Sequence, residues 1–148
     1  MNPGKQKGMI GVKIGSNVLT DSQGLLDQSR IEDLVLQVAE VKKNGYDVVL
    51  ISSGAVAAGR SVYQPGNKVD AVGLRQMWSS LGQVRLIETY SQLFKDQGLI
   101  CSQVLVTRDD FRSRDHFQNM KNCFQVLLNN NIIPIVNEND VISVTELM

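Results

Sequence analysis

The sequence predicts an α/β protein in which helices cover both faces of a mainly parallel β-sheet, giving three layers. Four short apolar runs alternate along the chain with helical segments. These runs lack the polar and apolar alternation that is typical of a strand with one solvated face. The order strand, helix, strand, helix, strand, helix, strand indicates a parallel sheet packed on both sides.

The first third of the chain contains two predicted strands and one helix. The run Met9 to Ile14 predicts a short buried strand. Ser29 and Glu32 have the S-x-x-E spacing of a capping box, so a helix is expected to begin there and to end at Asn44-Gly45. A second buried strand is predicted at 47–51.

Helices dominate the middle of the chain. The turn at 52–55 leads into a helix that is expected to fade over 62–70, where Pro65-Gly66-Asn67 marks a loop. Residues 71–97 are predicted to be helical, in two pieces divided near Gly82. A third strand is expected at 100–106.

The last helix has the strongest periodicity in the chain. It is predicted at about 115–130, with Thr107 placed to cap the segment after the third strand. Its apolar residues recur at steps of three and four and predict a stripe that faces the core, formed by Phe117, Met120, Phe124, Leu127 and Leu128. A fourth strand at 132–136 precedes a polar segment at 137–140.

Composition excludes several classes of protein. A chain of 148 residues has the size of one domain, and its 15 Lys and Arg balance its 15 Asp and Glu, so nucleic acid is an unexpected partner. No apolar run approaches the ~20 residues of a membrane-spanning helix, and the run after the basic first residues is too short for a secretory signal. A cytoplasmic location is therefore expected. The two cysteines, Cys101 and Cys123, are predicted to be buried thiols.

Candidate functional residues lie where the predicted strands end, because ligands of open parallel sheets bind at the carboxyl ends of the strands. Ser53 and Gly54 form a strand-to-helix turn whose backbone N–H groups can meet an anion, although many such turns are only turns. Lys13 lies near the end of the first strand, where phosphate binding and pairing with a carboxylate are both open. Asn137 and Asp140 belong to a cluster that can bind an ammonium group or form a solvated loop.

Several common sites are missing from the sequence. It contains neither the P-loop motif G-x-x-x-x-G-K-[ST] nor a G-x-G-x-x-G after the first strand. No metal-ligand spacing is found, so no metal site is expected. His116 is the one histidine, and near the start of a helix it is expected to be an exposed polar residue.

Taken together, these segments resemble the amino acid kinase family, and within it the glutamate 5-kinase branch. The similarity spans nearly all of the chain, and the S-G-A-V-A-A-G and N-E-N-D stretches are the most specific parts of it. It rests on V-K-I-G-S-N-V-L-T at 12–20, S-S-G-A-V-A-A-G at 52–59, G-Q-V-R-L-I at 82–87, Q-V-L-V-T-R-D-D-F at 103–111 and the segment 129–140 ending in I-V-N-E-N-D.

The resemblance implies a reaction and a set of roles. The family reaction transfers the γ-phosphoryl group of ATP, bound with Mg²⁺, to the side-chain carboxylate of L-glutamate, at the start of proline biosynthesis. Lys13 would contact the ATP phosphates as the catalytic lysine, with Gly15 close by. The remaining residues would bind glutamate, with Asp140 taking its amino group beside Ser53, Gly54, Ala55 and Asn137. Feedback by L-proline and a homo-oligomer are implied as well.

The resemblance also implies that residues 1–148 are the N-terminal, glutamate-binding part of an amino acid kinase domain, without most of the nucleotide-binding half. We therefore expect a truncated sheet and no turnover by these 148 residues alone. Two alternatives stay open. One is a different amino acid kinase, acting on acetylglutamate, carbamate or aspartate, and the other is a non-catalytic module that binds glutamate or proline.

Overall fold

The computed structural model describes residues 7–143 and contains a four-stranded parallel sheet in the order β1-β2-β4-β3. The predicted fold class is confirmed. The elements in chain order are β1 Met9–Ile14, α1 Ser16–Leu19, α2 Gln28–Lys43, β2 Asp47–Ser52, α3 Ala55–Val62, α4 Ala71–Asp96, β3 Ile100–Val106, α5 Arg114–Asn129 and β4 Ile132–Glu138, with a short 3-10 turn, Asp109–Phe111, before α5.

The main core lies between one face of the sheet and the helices α2, α3 and α4. The central strands contribute alternate residues to it, because successive side chains of a strand point to opposite faces. Tyr90 and Phe94 of α4 are fully buried there, with stacked rings whose centroids are 6.2 Å apart. The other fully or nearly fully buried side chains of this core include Leu19, Ile31, Val35, Val48, Leu50, Ile133 and Ile135.

The opposite face of the sheet is only partly covered. Helix α5 packs on this face beside β4, and an apolar groove of about 860 Å³ lies between α5 and the strands β1 and β2. Two predictions are therefore wrong. Alternate residues of β1 are exposed rather than buried, and Phe117 of the α5 stripe keeps 47% of its surface exposed, whereas Leu128 is buried. Periodicity identified the apolar face of α5 but not how much of it the sheet covers.

Three further details of the helices differ from the predictions. Helix α4 is continuous through Gly82. Asp27, not Ser29, caps α2, and its side chain accepts hydrogen bonds from the backbone N–H groups of Ser29 and Arg30. Ser113 caps α5, whereas the Thr107 hydroxyl donates to Asp110. Neighbouring polar residues compete for the same cap, and the local sequence does not decide between them.

Gly82 is explained by the packing of α4 against α3. A Cβ atom added to Gly82 would overlap the carbonyl oxygen of Ala55 and lie 2.5 Å from the backbone nitrogen of Gly59. A Cβ atom added to Gly59 would overlap the backbone of Trp78. The two helices therefore touch backbone to backbone, which only glycine permits. This glycine contact, formed by Gly59 and Gly82, fixes the start of α3 against α4.

The two cysteines differ in exposure, so the prediction that both are buried is wrong for Cys123, which is exposed. Burial raises the pKa of the half-buried Cys101 thiol to about 11. Because the thiolate is the reactive form, iodoacetamide at pH 8 is expected to alkylate Cys123 at least about tenfold faster than Cys101. Mass spectrometry over time would measure both rates. Faster alkylation of Cys101 than of Cys123 would contradict the packing of β3 against α4.

Candidate functional site

The carboxyl ends of the strands surround a cavity of about 500 Å³, here called the strand-end cavity. It is bordered by the start of α3, the first turns of α4 and the segment after β4. All five residues that the resemblance implies for binding glutamate line it, namely Ser53, Gly54, Ala55, Asn137 and Asp140. Residues separated by more than eighty positions therefore meet in one cavity because parallel strands end at the same edge of the sheet.

The turn from β2 into α3 presents backbone donors to the strand-end cavity. Gly54 is the residue before the helix, with a left-handed φ of 110°, and it provides no side chain to cap the first turn. Ala55, Val56 and Ala57 of that turn line the cavity. The first N–H groups of a helix lack partners within the helix and carry its positive end, so this turn suits an anion.

The base of this turn is held firmly. Ser53 N–H donates to the carbonyl oxygen of Ile14 at 3.0 Å, which joins the ends of β1 and β2. The Ser52 hydroxyl lies 3.0 Å from that of Tyr90, and burial raises the pKa of the Tyr90 hydroxyl. A side chain at position 54 would meet Leu19 and adopt a left-handed backbone conformation that only glycine tolerates well. The geometry of this turn is therefore fixed by the fold.

The segment after β4 brings a carboxylate and an amide to the same cavity. Asp140 and Asn137 are 9% and 7% exposed. The Nδ2 atom of Asn137 is buried and meets no acceptor among residues 7–143. Because a buried donor without an acceptor is costly, this amide suits a ligand oxygen in the cavity.

Helix α4 holds this segment through three long side chains. Arg75 Nη2 donates to Asp140 Oδ1 at 2.7 Å, and Gln76 Nε2 donates to the Val141 carbonyl oxygen at 2.8 Å. Gln83 Nε2 donates to the Glu138 carbonyl oxygen at 3.4 Å. The sequence reasoning did not find Arg75, which lies 65 positions from Asp140 in a helix where no local pattern distinguishes it.

Lys13 does not line the strand-end cavity. Its side chain is exposed and lines the apolar groove on the other face of the sheet, so no cost of burial obliges the ammonium group to pair with a carboxylate. The groove and the cavity nevertheless adjoin, because Ser53, Asn137 and Glu138 line both. The ends of β2 and β4 therefore form a shared rim between the groove with Lys13 and the cavity with Asp140.

Gly15 follows β1 beside this rim. Its φ of −75° is open to any residue, and an added Cβ atom would meet nothing within 4 Å. Neither backbone conformation nor crowding within residues 7–143 therefore explains a glycine here. A glycine also permits close approach of a ligand to the backbone, and the contact of Gly15 with ATP stays a prediction.

Residues 7–143 contain no cluster of three or more His, Cys, Asp or Glu side chains arranged to hold a metal ion. Over the same residues, no helix has the length and apolar character that crossing a membrane requires. His116 is exposed as expected, and its Nδ1 lies 3.0 Å from Asp110 Oδ1. Hydrogen bonds from Thr107, more than the contact with His116, lower the pKa of Asp110.

Relatives of this chain are named as kinases. It is 52% identical over 139 residues to the glutamate 5-kinase of Bacteroides thetaiotaomicron, an alignment that covers 94% of this chain and 39% of that relative. The glutamate 5-kinase of Chlorobaculum tepidum is 45% identical over 139 residues, covering 94% and 38%. Glutamate 5-kinase 2 of Bacillus subtilis is 42% identical over 147 residues, covering 99% and 40%.

The chain thus spans about two-fifths of the length of these relatives. A sequence profile of the amino acid kinase family matches residues 9–147, which is most of the chain. The parallel sheet with helices on both faces agrees with that match. The chain therefore belongs to the amino acid kinase family.

Proposed function

We propose that the protein takes part in the ATP-dependent phosphorylation of the side-chain carboxylate of L-glutamate, which yields L-glutamyl 5-phosphate. The observation that carries this proposal is the strand-end cavity, which is lined both by a helix start without a side-chain cap and by the buried Asp140. The names of the relatives support the choice of glutamate.

Glutamate matches the cavity in charge. Its α-ammonium group would pair with Asp140, whose carboxylate is buried and already held by a cation. Its side-chain carboxylate would accept hydrogen bonds from the first turn of α3 and from Ser53 beside it. Asn137 Nδ2, at the rim, would donate to an oxygen of the same ligand.

The reaction needs no general base, because a carboxylate is ionised at pH 7. One carboxylate oxygen forms a bond to the γ-phosphorus of ATP. The bond from that phosphorus to the bridging β,γ-oxygen breaks, and the electron pair leaves with ADP. A catalytic histidine is not required for such a transfer.

The main barrier is the approach of an anion to a polyphosphate. Two unit charges at 4 Å repel by ~4 kcal/mol at an effective dielectric constant of 20. Lys13 on one side of the shared rim and the positive end of α3 on the other would offset this repulsion. We propose that ATP brings Mg²⁺ as its complex and that its γ-phosphate reaches the rim from the groove side, near Lys13 and Gly15.

The direct test is product trapping with the full natural protein. L-Glutamate, MgATP and hydroxylamine should give γ-glutamyl hydroxamate, because an acyl phosphate acylates hydroxylamine, and ADP should form in equal amount. ADP should form at least about tenfold more slowly with aspartate, acetylglutamate or carbamate than with L-glutamate. A site that fits one substrate discriminates on this scale against compounds that lack or add a chemical group. Transfer to one of these three at a higher rate than to glutamate would replace glutamate as the substrate.

A non-catalytic binding module is the second candidate, and it is favoured by the fact that all the implied glutamate-binding residues line one cavity of this chain. Calorimetric titration with L-glutamate, L-proline and MgATP separates the two. Binding of glutamate without hydroxamate formation by the full natural protein would support the module.

Feedback by L-proline and homo-oligomerisation stay predictions, to be checked by inhibition kinetics and light scattering.

A further inference from the structure

Arg75 places a positive charge beside the strand-end cavity. None of the contacts proposed so far between the protein and its substrates involves this charge. Arg75 lies in the second turn of α4, and its guanidinium is 2.7 Å from Asp140 Oδ1. The charged residues that line this cavity are Arg75, Glu138 and Asp140. Among the described residues Arg75 is therefore the one cation of the cavity.

An amino acid with an acidic side chain carries three charged groups, namely the α-ammonium, the α-carboxylate and the side-chain carboxylate. In the cavity, Asp140 suits its ammonium and the first turn of α3 suits its side-chain carboxylate. The α-carboxylate is left, and burying it without a partner would be costly. Neither Glu138 nor Asp140 can serve as that partner, because both are acidic.

We propose that Arg75 binds the α-carboxylate of the amino acid substrate, while Asp140 binds its α-ammonium group. This inference rests on the proposed function. The α-ammonium and α-carboxylate of an amino acid are attached to one carbon atom. A ligand whose ammonium contacts Asp140 therefore has its α-carboxylate beside the guanidinium that contacts the same aspartate. A guanidinium carries five N–H donors in one plane. It can therefore donate to the α-carboxylate of the ligand and to the carboxylate of Asp140 at the same time.

A purely positioning role for Arg75 predicts a different result. If Arg75 only orients Asp140, its loss weakens every ligand with an ammonium group to the same extent. If Arg75 also contacts the α-carboxylate, its loss weakens ligands that carry this group more than ligands that lack it. The comparison of L-glutamate with its α-amide, isoglutamine, separates these cases because the two ligands share the ammonium and the side-chain carboxylate.

Calorimetric titration of the full natural protein with both ligands, without ATP, is the experiment. We expect the wild type to bind L-glutamate about 10- to 100-fold more tightly than isoglutamine, the range of a charge-assisted hydrogen bond. Arg75→Gln should reduce this ratio to within about threefold of unity, and Arg75→Lys should restore part of it. Arg85→Gln, which removes an exposed arginine from the same helix, should leave the ratio unchanged.

The outcomes are distinct. If Arg75→Gln weakens both ligands equally, the ratio of their affinities stays unchanged. This result would overturn the inference and leave the proposed kinase activity intact. A changed ratio in a protein that forms no hydroxamate would uphold the inference and overturn the activity. A folded wild type that binds neither ligand would overturn both. Circular dichroism and thermal unfolding of each variant establish that it is folded.

Discussion

Lys13→Ala in the full natural protein is expected to lower kcat for glutamyl phosphate formation by about 10³-fold or more, effectively abolishing turnover. Losses of this size result when a cation that stabilises a transferring phosphoryl group is removed. The fold should stay intact, because the Lys13 side chain is exposed and lines an open groove. The thermal midpoint should change little, since exposed substitutions usually alter stability by no more than about 0.5 kcal/mol.

The measurement is the initial rate of ADP release with saturating L-glutamate and MgATP. Lys95→Ala is a matched control, because Lys95 is an exposed lysine in the last turn of α4, at the opposite edge of the sheet. Its rate should equal that of the wild type. Near-normal turnover in Lys13→Ala would refute the assignment of this lysine to the nucleotide phosphates. The affinity for L-glutamate in the absence of ATP should be the same in all three proteins.

Gly82→Ala is expected to have the largest effect on stability, lowering the free energy of unfolding by about 3 kcal/mol or more. Overpacking typically costs about 1–3 kcal/mol, and here the added methyl group meets backbone atoms of Ala55 and Gly59 that cannot rotate away. The higher helix propensity of alanine returns only about 1 kcal/mol. Since small domains are stable by about 5–15 kcal/mol, the loss is a large fraction of the total.

Urea unfolding followed by circular dichroism would measure this loss. Gly66→Ala provides the control, because an added Cβ atom at Gly66 meets nothing within 4 Å. Any folded Gly82→Ala protein should also bind L-glutamate more weakly, since separation of the helices displaces Ala55 at the cavity. Wild-type stability in Gly82→Ala would show that α3 and α4 do not meet backbone to backbone.

The sequence predicted the elements of the fold well, because strands, turns and helix ends leave local signals. Asn44-Gly45 ends α2 as expected, and Gly45 has the positive φ of 90° that favours glycine. The division of α4 near Gly82 was wrong for an instructive reason. A glycine within a helix can mark a break or a close contact with another element, and only the packing partner, twenty or more residues away, decides between them.

The candidate site was predictable to the extent that its residues follow strands. Ser53, Gly54 and Asp140 occupy strand ends, and topology alone brings them together. Arg75 lies within a helix, and its sequence context does not distinguish it from other arginines until the tertiary contact with Asp140 is known. The exposure of Lys13 could not be predicted either, since an apolar strand sequence does not reveal which segments cover its two faces.

The glycine contact between α3 and α4 has a consequence for how a ligand enters. Because the two backbones are in direct contact, the turn that carries Gly54 and the helix that carries Arg75 form a rigid body. Neither can swing outwards without the other. Segment 139–143, by contrast, is joined to α4 through hydrogen bonds from side chains, which can break and re-form one at a time. The wall of the cavity that α3 and α4 form is therefore already in place when a ligand enters.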